Sequence, residues 1–96
     1  MGYTLSPKAR ADLDSIWDYT ADRWDEDQAD RYVRLIAKAF ADLADGSLPG
    51  RKADDIRDGY MKLPAGSHVI FYRRDADRGI VIVRVLHQRM DVQRHL

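Results

Sequence analysis

The sequence predicts a single α+β domain, residues 1–96, in which an N-terminal strand and an antiparallel two-helix hairpin pack on an antiparallel sheet (β-α-α-β-β-β). Two periodicities predict this class. Apolar side chains recur every three or four residues between positions 7 and 45, and alternate with a period of two after position 56. With 96 residues and no cysteine, the chain is long enough for one core, and it forms no disulfides.

The N-terminal segment predicts a short strand at residues 3–5 and then a helix. Ser6 can cap this helix, and Pro7 suits its first position because the missing N–H has no helical partner there. The helix should end near Arg23 or Trp24. Its apolar stripe comprises Ala9, Leu13, Ile16, Trp17, Thr20 and Trp24.

A second helix is predicted to begin almost at once. Asp25 followed by Gln28 is typical of a capping box, and Gly46 supplies a left-handed stop. So short a connection between the helices implies an antiparallel hairpin. The residues predicted to share one face of this helix are Ala29, Tyr32, Val33, Ile36, Ala37, Phe40, Leu43 and Ala44.

Beyond a polar loop at residues 46–55, three strands are predicted at residues 56–63, 68–74 and 79–86. The turns between them, at 64–67 and 75–78, are rich in turn formers and short enough to indicate an antiparallel meander. The tail is expected to add one helical turn that starts at Asp91.

The predicted strands carry apolar residues on both faces. Simple alternation places Val81, Val83 and Val85 opposite the face that holds Ile80, Ile82 and Leu86. A two-helix hairpin covers only one face of a sheet, so a partner or the chain's own tail should cover the other. Tyr19 and Leu35 flank the hairpin seam and, taken alone, are typical of singly exposed apolar residues. Together with Trp17 and Trp24, whose large rings are hard to bury completely in so small a core, they predict a groove for an amphipathic partner helix.

Several functional classes find no support in the sequence. His68, His87 and His95 lack the spacing of a metal site, and no phosphate-binding glycine motif is present, so neither a metal nor a cofactor is expected. No apolar stretch is long enough to cross a bilayer, and the start of the chain does not resemble a secretion signal, so a cytoplasmic location is expected. Residues 1–50 carry 6 basic and 10 acidic side chains and residues 51–96 carry 10 and 6, which argues for one positive surface within a neutral total.

The basic half holds a polar series that could cluster at one end of the sheet. Such a cluster could clamp phosphate with His87 or Tyr60 as a general acid or base, could form a binding patch, or could be ordinary surface charge. The series comprises Arg57, Tyr60, Lys62, Arg73, Arg84, His87 and Arg89.

Four strings in the chain resemble ParE-type toxins of the RelE/ParE superfamily, also known as plasmid stabilisation proteins. They are SPKARADL at 6–13 with Ile16 and Trp17, GSHVIFYR at 66–73, RVLHQRMD at 84–91 and the closing RHL at 94–96. The resemblance implies a helical hairpin on an antiparallel sheet, a ParD-type antitoxin whose C-terminal segment wraps the toxin, and inhibition of DNA gyrase. RelE-type relatives instead cut messenger RNA on the ribosome.

The string at 86–91 is typical of the ParE branch, so the resemblance favours a non-enzymatic gyrase inhibitor. Its activity surface is predicted at Arg57, Tyr60, Lys62, Arg73, Arg84, His87, Arg89 and Met90. The predicted antitoxin contacts are Trp17, Tyr19, Trp24, Leu35, Val81, Val83 and Val85, and operator DNA is expected to be contacted only through the antitoxin.

Two alternatives stay open at this point. One is a RelE-like, ribosome-dependent endoribonuclease that uses Tyr60, Lys62, Arg84 and His87. The other is a degenerate toxin that acts only as an antitoxin-binding co-repressor, because Asp58 and Met61 stand where relatives commonly carry a proline and a basic residue.

Overall fold

A computed structural model describes residues 2–77 and 79–96, and it has the predicted α+β class. Two helices pack on one face of a five-stranded sheet of order β1-β5-β4-β3-β2. The elements are β1 (Tyr3–Leu5), α1 (Pro7–Arg23), α2 (Glu26–Asp45), β2 (Arg51–Lys52), β3 (Tyr60–Ala65), β4 (His68–Asp75), β5 (Gly79–His87) and α3 (Val92–His95).

The helix boundaries follow the predicted capping residues. The Ser6 side chain accepts a hydrogen bond from the Ala9 amide, and the Asp25 carboxylate accepts one from the Gln28 amide. At the end of α2, Gly46 adopts φ +86°, a left-handed conformation that a residue with a Cβ rarely takes. In the tail, Asp91 caps α3 as predicted.

The sheet departs from a purely antiparallel meander at both of its edges. β1 pairs with β5 in parallel, with Tyr3 opposite Ile80 and Leu5 opposite Ile82. At the other edge, β2 is a two-residue strand, Arg51–Lys52, within the segment expected to be a polar loop, and it pairs with β3. Neither residue has an apolar side chain, so alternation gave no sign of this strand.

The prediction of a strand at residues 56–63 was wrong in its first half. The Ile56 and Arg57 amides donate to the Ala53 carbonyl, and Gly59 has φ +82°, so this stretch is a turn, and β3 begins at Tyr60. The predicted turn at 64–67 is also shorter than expected, because Pro64 and Ala65 belong to β3. Of the predicted turn at 75–78, Arg78 lies outside the described residues.

The core fills the space between the helices and the sheet. We call the sheet surface toward α1 and α2 the helix face and the opposite surface the distal face. Ile70 and Tyr72 of β4 and Ile82 of β5 are buried on the helix face against Ile36 and Phe40 of α2, among others. Apolar residues on both helices and on the sheet thus define a single main core.

Because of a β-bulge in β5, Val81, Val83 and Val85 do not share one face, contrary to the prediction from simple alternation. Tyr72 pairs with Ile82 and Phe71 pairs with Arg84, so Val83 is an extra residue in the ladder. The insertion changes the alternation, and Val85 joins Ile80 and Ile82 in the core instead of sharing a face with Val81.

The distal face is largely covered by the chain itself. Phe71, Val81 and Leu86 lie outside the main core, yet each is less than 7% exposed. The C-terminal tail is tied to this side by two arginines, because Arg84 Nη1 donates to the His95 carbonyl at 2.9 Å and Arg57 Nη2 donates to the Leu96 carbonyl at 2.6 Å. The chain itself therefore buries much of the apolar surplus without a partner, and its tail is anchored on this side.

Candidate functional site

The strand pairing brings five members of the predicted polar series to one side of the sheet or its edge. Lys62 lies opposite Phe71, which lies opposite Arg84, and Tyr60 lies opposite Arg73. Cross-strand partners share a face, so Tyr60, Lys62, Arg73 and Arg84 all lie on the distal face. Arg57, in the turn before β3, places its guanidinium 5.7 Å from the centre of the Tyr60 ring.

Each of the three guanidinium nitrogens of Arg84 already donates a hydrogen bond. Its Nε and Nη2 donate to the two carboxylate oxygens of Asp12 on α1, each at 2.8 Å, and Nη1 holds the tail. Asp12 also accepts a hydrogen bond from the Val85 amide at 2.9 Å. The hydrogen bonds to Asp12 raise the pKa of Arg84. This arginine joins α1, β5 and the tail, which is a structural task that the sequence did not reveal.

His87 lies on the other side of the sheet from Arg84. It lies opposite His68, and the two imidazole rings are 5.3 Å apart in an edge-to-face arrangement. The hydroxyl of Tyr32, on α2, lies 2.6 Å from His68 Nδ1, which places both histidines on the helix face. The predicted catalytic set of Tyr60, Lys62, Arg84 and His87 is therefore divided by the sheet.

The two histidines line a cavity of about 290 Å³ at the end of the sheet nearest α1, which we call the histidine pocket. Burial, and then the neighbouring His87, lower the pKa of His68. Met90, in the turn after β5, lines the pocket, whereas Arg89 is exposed beside it. The complete lining is Ser15, Ile16, Tyr19, His68, His87 and Met90.

Tyr32 and His68 were not among the predicted site residues. Tyr32 falls on the core-facing stripe of α2, so its pattern indicates packing rather than a hydroxyl that accepts from the Ser67 amide and contacts an imidazole. The pairing of His68 with His87 depends on the bulge. The one available signal was the position of His68 directly after the glycine turn at Gly66.

The predicted antitoxin contacts do not form one surface. Tyr19 and Trp24 are 64% and 70% exposed and line one groove beside the histidine pocket. Leu35 is exposed but lines a separate groove with Leu48, Leu63 and Pro64, among others. Trp17 donates its indole N–H to Asp30 and so ties α1 to α2.

The valines of the same prediction are poorly placed for a partner. Val81 and Val85 are buried within the chain, so neither offers a surface in this structure. Val83 is half-buried at the bulge, where its carbonyl accepts a hydrogen bond from the Ser6 hydroxyl at 2.7 Å. The expectation that all three line an open face was wrong because it assumed unbroken alternation and an uncovered distal face.

Two further features bear on the kind of site present. Within residues 2–77 and 79–96, no three His, Asp or Glu side chains are grouped so that they could hold a metal ion. Neither of the long helices described is apolar enough along its length to span a bilayer.

Comparison with known proteins places the whole chain in one family. The model of the family described as ParE toxin of type II toxin-antitoxin system, parDE, matches residues 3–92. Toxin ParE1 of Mycobacterium tuberculosis is 53% identical over 94 residues, covering 98% of this chain and 96% of the relative. Toxin ParE1 of Caulobacter vibrioides is 40% identical, with the same coverage.

More distant proteins agree in sequence and in fold. Toxin ParE of Escherichia coli is 30% identical over 98% of this chain and 91% of its own length. A solved structure titled "Chromosomal ParDE TA system from P. aeruginosa" superposes with a TM-score of 0.77 at 23% identity, covering 91% of this chain and 95% of that one. Matches over nearly the full length show that the chain belongs to the ParE toxin family of type II toxin–antitoxin systems.

Proposed function

We propose that this toxin inhibits DNA gyrase by binding it, and that a ParD-type antitoxin neutralises the toxin in the cytoplasm. Membership of the ParE family supports both parts of the proposal. In this proposal the protein is not an enzyme, and operator DNA is reached only through the antitoxin.

The sheet separates the members of the polar series, and this separation supports binding rather than RNA cleavage as the mechanism. A metal-free ribonuclease needs its acid, its base and its cations within hydrogen-bond reach of one phosphate. His87 contacts His68 on the helix face, while Lys62 and Arg84 lie on the distal face. Arg84 is also held by Asp12 and the tail. This arrangement favours binding over RNA cleavage.

The distal face offers a candidate contact for gyrase. Lys62 and Arg73 are half-buried there, and Arg57 and Tyr60 extend the surface toward the turn before β3. These side chains put several cationic groups beside apolar strands, a combination common at the rims and centres of protein interfaces. Arg84, Arg89, Met90 and His87 complete the predicted activity surface, although His87 and Met90 face the histidine pocket.

The direct test adds purified toxin to purified gyrase and a relaxed plasmid. We expect supercoiling to fall with toxin concentration and to recover when the antitoxin encoded beside the toxin gene is added. Lys62→Glu should weaken inhibition, because it reverses a charge on the distal face. Lys8→Glu, an exposed reversal on α1, serves as the matched control.

Three outcomes would contradict the proposal. Unchanged supercoiling together with cleavage of ribosome-bound message would identify an endoribonuclease. Unchanged supercoiling, harmless expression and tight antitoxin binding would identify a co-repressor. Failure of the antitoxin to bind the wild-type toxin would overturn the proposed partner.

A further inference from the structure

The histidine pocket is an open, mostly apolar cavity whose size suits one large side chain. Ile16 of α1 and Met90 form part of its wall, and the exposed Tyr19 forms its rim. A second groove of about 310 Å³ shares Tyr19, His68 and His87 with it and continues along α1 to Arg23 and Trp24. Together they form one continuous binding surface.

Hydrogen bonds on Nδ1 fix which imidazole nitrogen carries the proton. The Arg89 amide donates to His87 Nδ1 at 3.1 Å, so the neutral ring of His87 is protonated on Nε2. The Tyr32 hydroxyl accepts from the Ser67 amide at 2.9 Å and lies 2.6 Å from His68 Nδ1. When this hydroxyl donates to Nδ1, the His68 ring, like that of His87, carries its proton on Nε2.

The polar groups of the pocket define what it can bind. The His87 acceptor nitrogen is occupied by the Arg89 amide, and with the Tyr32 hydroxyl donating to His68 Nδ1 each imidazole has an N–H donor left for a ligand. None of the described residues that line the pocket or its neighbouring groove is acidic, and Arg23 adds a positive charge. Asp12, the acidic group of α1 whose field reaches His68, is paired with Arg84. A hydrogen-bond-accepting anion is the complementary ligand.

The apolar wall of the pocket favours a carboxylate over a nucleic-acid phosphate as the ligand. Nucleic-acid sites combine several cations with the phosphate backbone, whereas this surface has one arginine and is otherwise formed mainly by apolar and neutral side chains. A peptide segment with a large apolar side chain next to Asp or Glu satisfies both the wall and the donors.

We propose that the histidine pocket binds a segment of the antitoxin in which a large apolar side chain adjoins a carboxylate, which accepts hydrogen bonds from His68 and His87. The inference rests on the proposed antitoxin partnership and adds a specific anchor to it. The apolar side chain enters beside Met90 and Ile16, and the exposed Tyr19 closes over it.

Binding of a carboxylate at this site is linked to proton uptake. The groups that face or influence His68 are Tyr32 from α2, Tyr19, Arg23 and Asp12 from α1, and His87 from β5. In the free toxin the imidazole resists protonation, and a bound carboxylate favours the charged ring. Affinity for the antitoxin should therefore rise as the pH falls.

The test is titration calorimetry of the full-length toxin with the full-length antitoxin at about pH 8 and about pH 6, a range that spans histidine titration. Two buffers of different ionisation enthalpy measure the protons exchanged. We expect proton uptake on binding and a lower dissociation constant at the lower pH. His95→Asn, in the tail, is the control and should change neither quantity.

Asparagine and glutamine variants distinguish the role of Nδ1 from the role of Nε2 in the imidazole rings. His68→Asn and His87→Asn can each replace the Nδ1 acceptor but remove the Nε2–H donor, so affinity should fall roughly tenfold, the typical effect of losing a hydrogen bond to a charged group. His87→Gln retains a donor near the Nε2 position and should preserve most of the affinity.

A variant at Met90, the exposed part of the pocket wall, should leave folding unaffected. Met90 is 46% exposed, so Met90→Asp should fold and should repel the carboxylate, whereas Met90→Leu should bind like the wild type. Antitoxin binding that is unaffected by Met90→Asp and shows no proton uptake would overturn the pocket assignment and leave the antitoxin partnership intact. Failure of the wild-type toxin to bind the antitoxin would overturn both the pocket assignment and the antitoxin partnership. RNA binding abolished by His68→Asn would assign the pocket to nucleic acid instead.

Discussion

At the scale of single residues, the Asp12 side chain links α1 to β5 from outside the main core. One carboxylate accepts two hydrogen bonds from Arg84 and one from the Val85 amide. Both members of the ion pair are largely shielded, with side chains 15% and 13% exposed for Arg84 and Asp12. Removing one partner of such a pair leaves the other charge without compensation.

Asp12→Ala should therefore lower the free energy of unfolding by about 3 kcal/mol, as measured by urea denaturation. Asp14→Ala is the matched control on the same helix, because Asp14 is exposed, and its effect should stay within about 0.5 kcal/mol. Equal effects of the two substitutions would show that the Asp12 network contributes nothing to stability.

His68 makes stability depend on pH. Its pKa in the folded protein lies below the ordinary histidine value, so the unfolded chain binds a proton more readily than the folded one. Stability should fall as the pH drops below about 6.5 and continue falling until the folded-state pKa is passed. His68→Asn should flatten this part of the profile, measured by urea denaturation at a series of pH values, and His95→Asn should not.

At the scale of elements, Ser6 connects the start of α1 to the sheet. Its hydroxyl accepts from the Ala9 amide and donates to the Val83 carbonyl. Asp25 makes a comparable cap on α2 but is exposed. The Ser6 side chain therefore makes two hydrogen bonds, whereas the Asp25 side chain makes one.

Ser6→Ala should accordingly destabilise the protein more than Asp25→Ala, for which a loss of about 1 kcal/mol is typical of an N-cap. Thermal unfolding of both variants provides the comparison. A larger effect at Asp25 would mean that the contact with Val83 adds no stability.

The helices and the hairpin strands could be predicted from the sequence because their signals are local. Ser6, Asp25 and Gly46 mark helix ends by their own chemistry, and alternation identifies β4 and β5. The strand Arg51–Lys52 has no apolar residue, and the turn at 56–59 depends on hydrogen bonds to Ala53. These features arise from pairing and tertiary contacts that no short window of sequence contains.

The site was harder to predict for the same reason. Asp75 lies opposite Gly79, and an unbroken ladder from that pair would place His68 opposite Leu86. The bulge at Val83 shifts the pairing by one residue and brings His68 to His87. A list of basic residues along the chain could name His87, but it could not show that the sheet separates it from Lys62 and Arg84.

At the scale of the whole molecule, the tail is anchored on the distal face, whose apolar side chains are buried within the chain. Arg84 and Arg57 hold the backbone carbonyls of His95 and Leu96, and the apolar side chains of Phe71, Val81 and Leu86 are buried on this side. The cover is supplied by the chain itself, which explains how a sheet with two apolar faces is sheltered by only two long helices.

Deleting residues 92–96 should expose part of this apolar surface. We expect a lower unfolding temperature and increased binding of a hydrophobic dye, since apolar area is returned to water. Arg94→Ala is the control, because its side chain is 83% exposed. A truncated chain as stable as the full one would show that the tail does not shelter this surface.

The extra residue in β5 also affects how the chain can vary in length. Deleting Val83 would restore plain alternation without turning over the rest of the strand, because Ile82 and Arg84 already lie on opposite faces. His87 would stay opposite His68. A one-codon deletion at this position should therefore preserve the pairing of the strand and the site that depends on it.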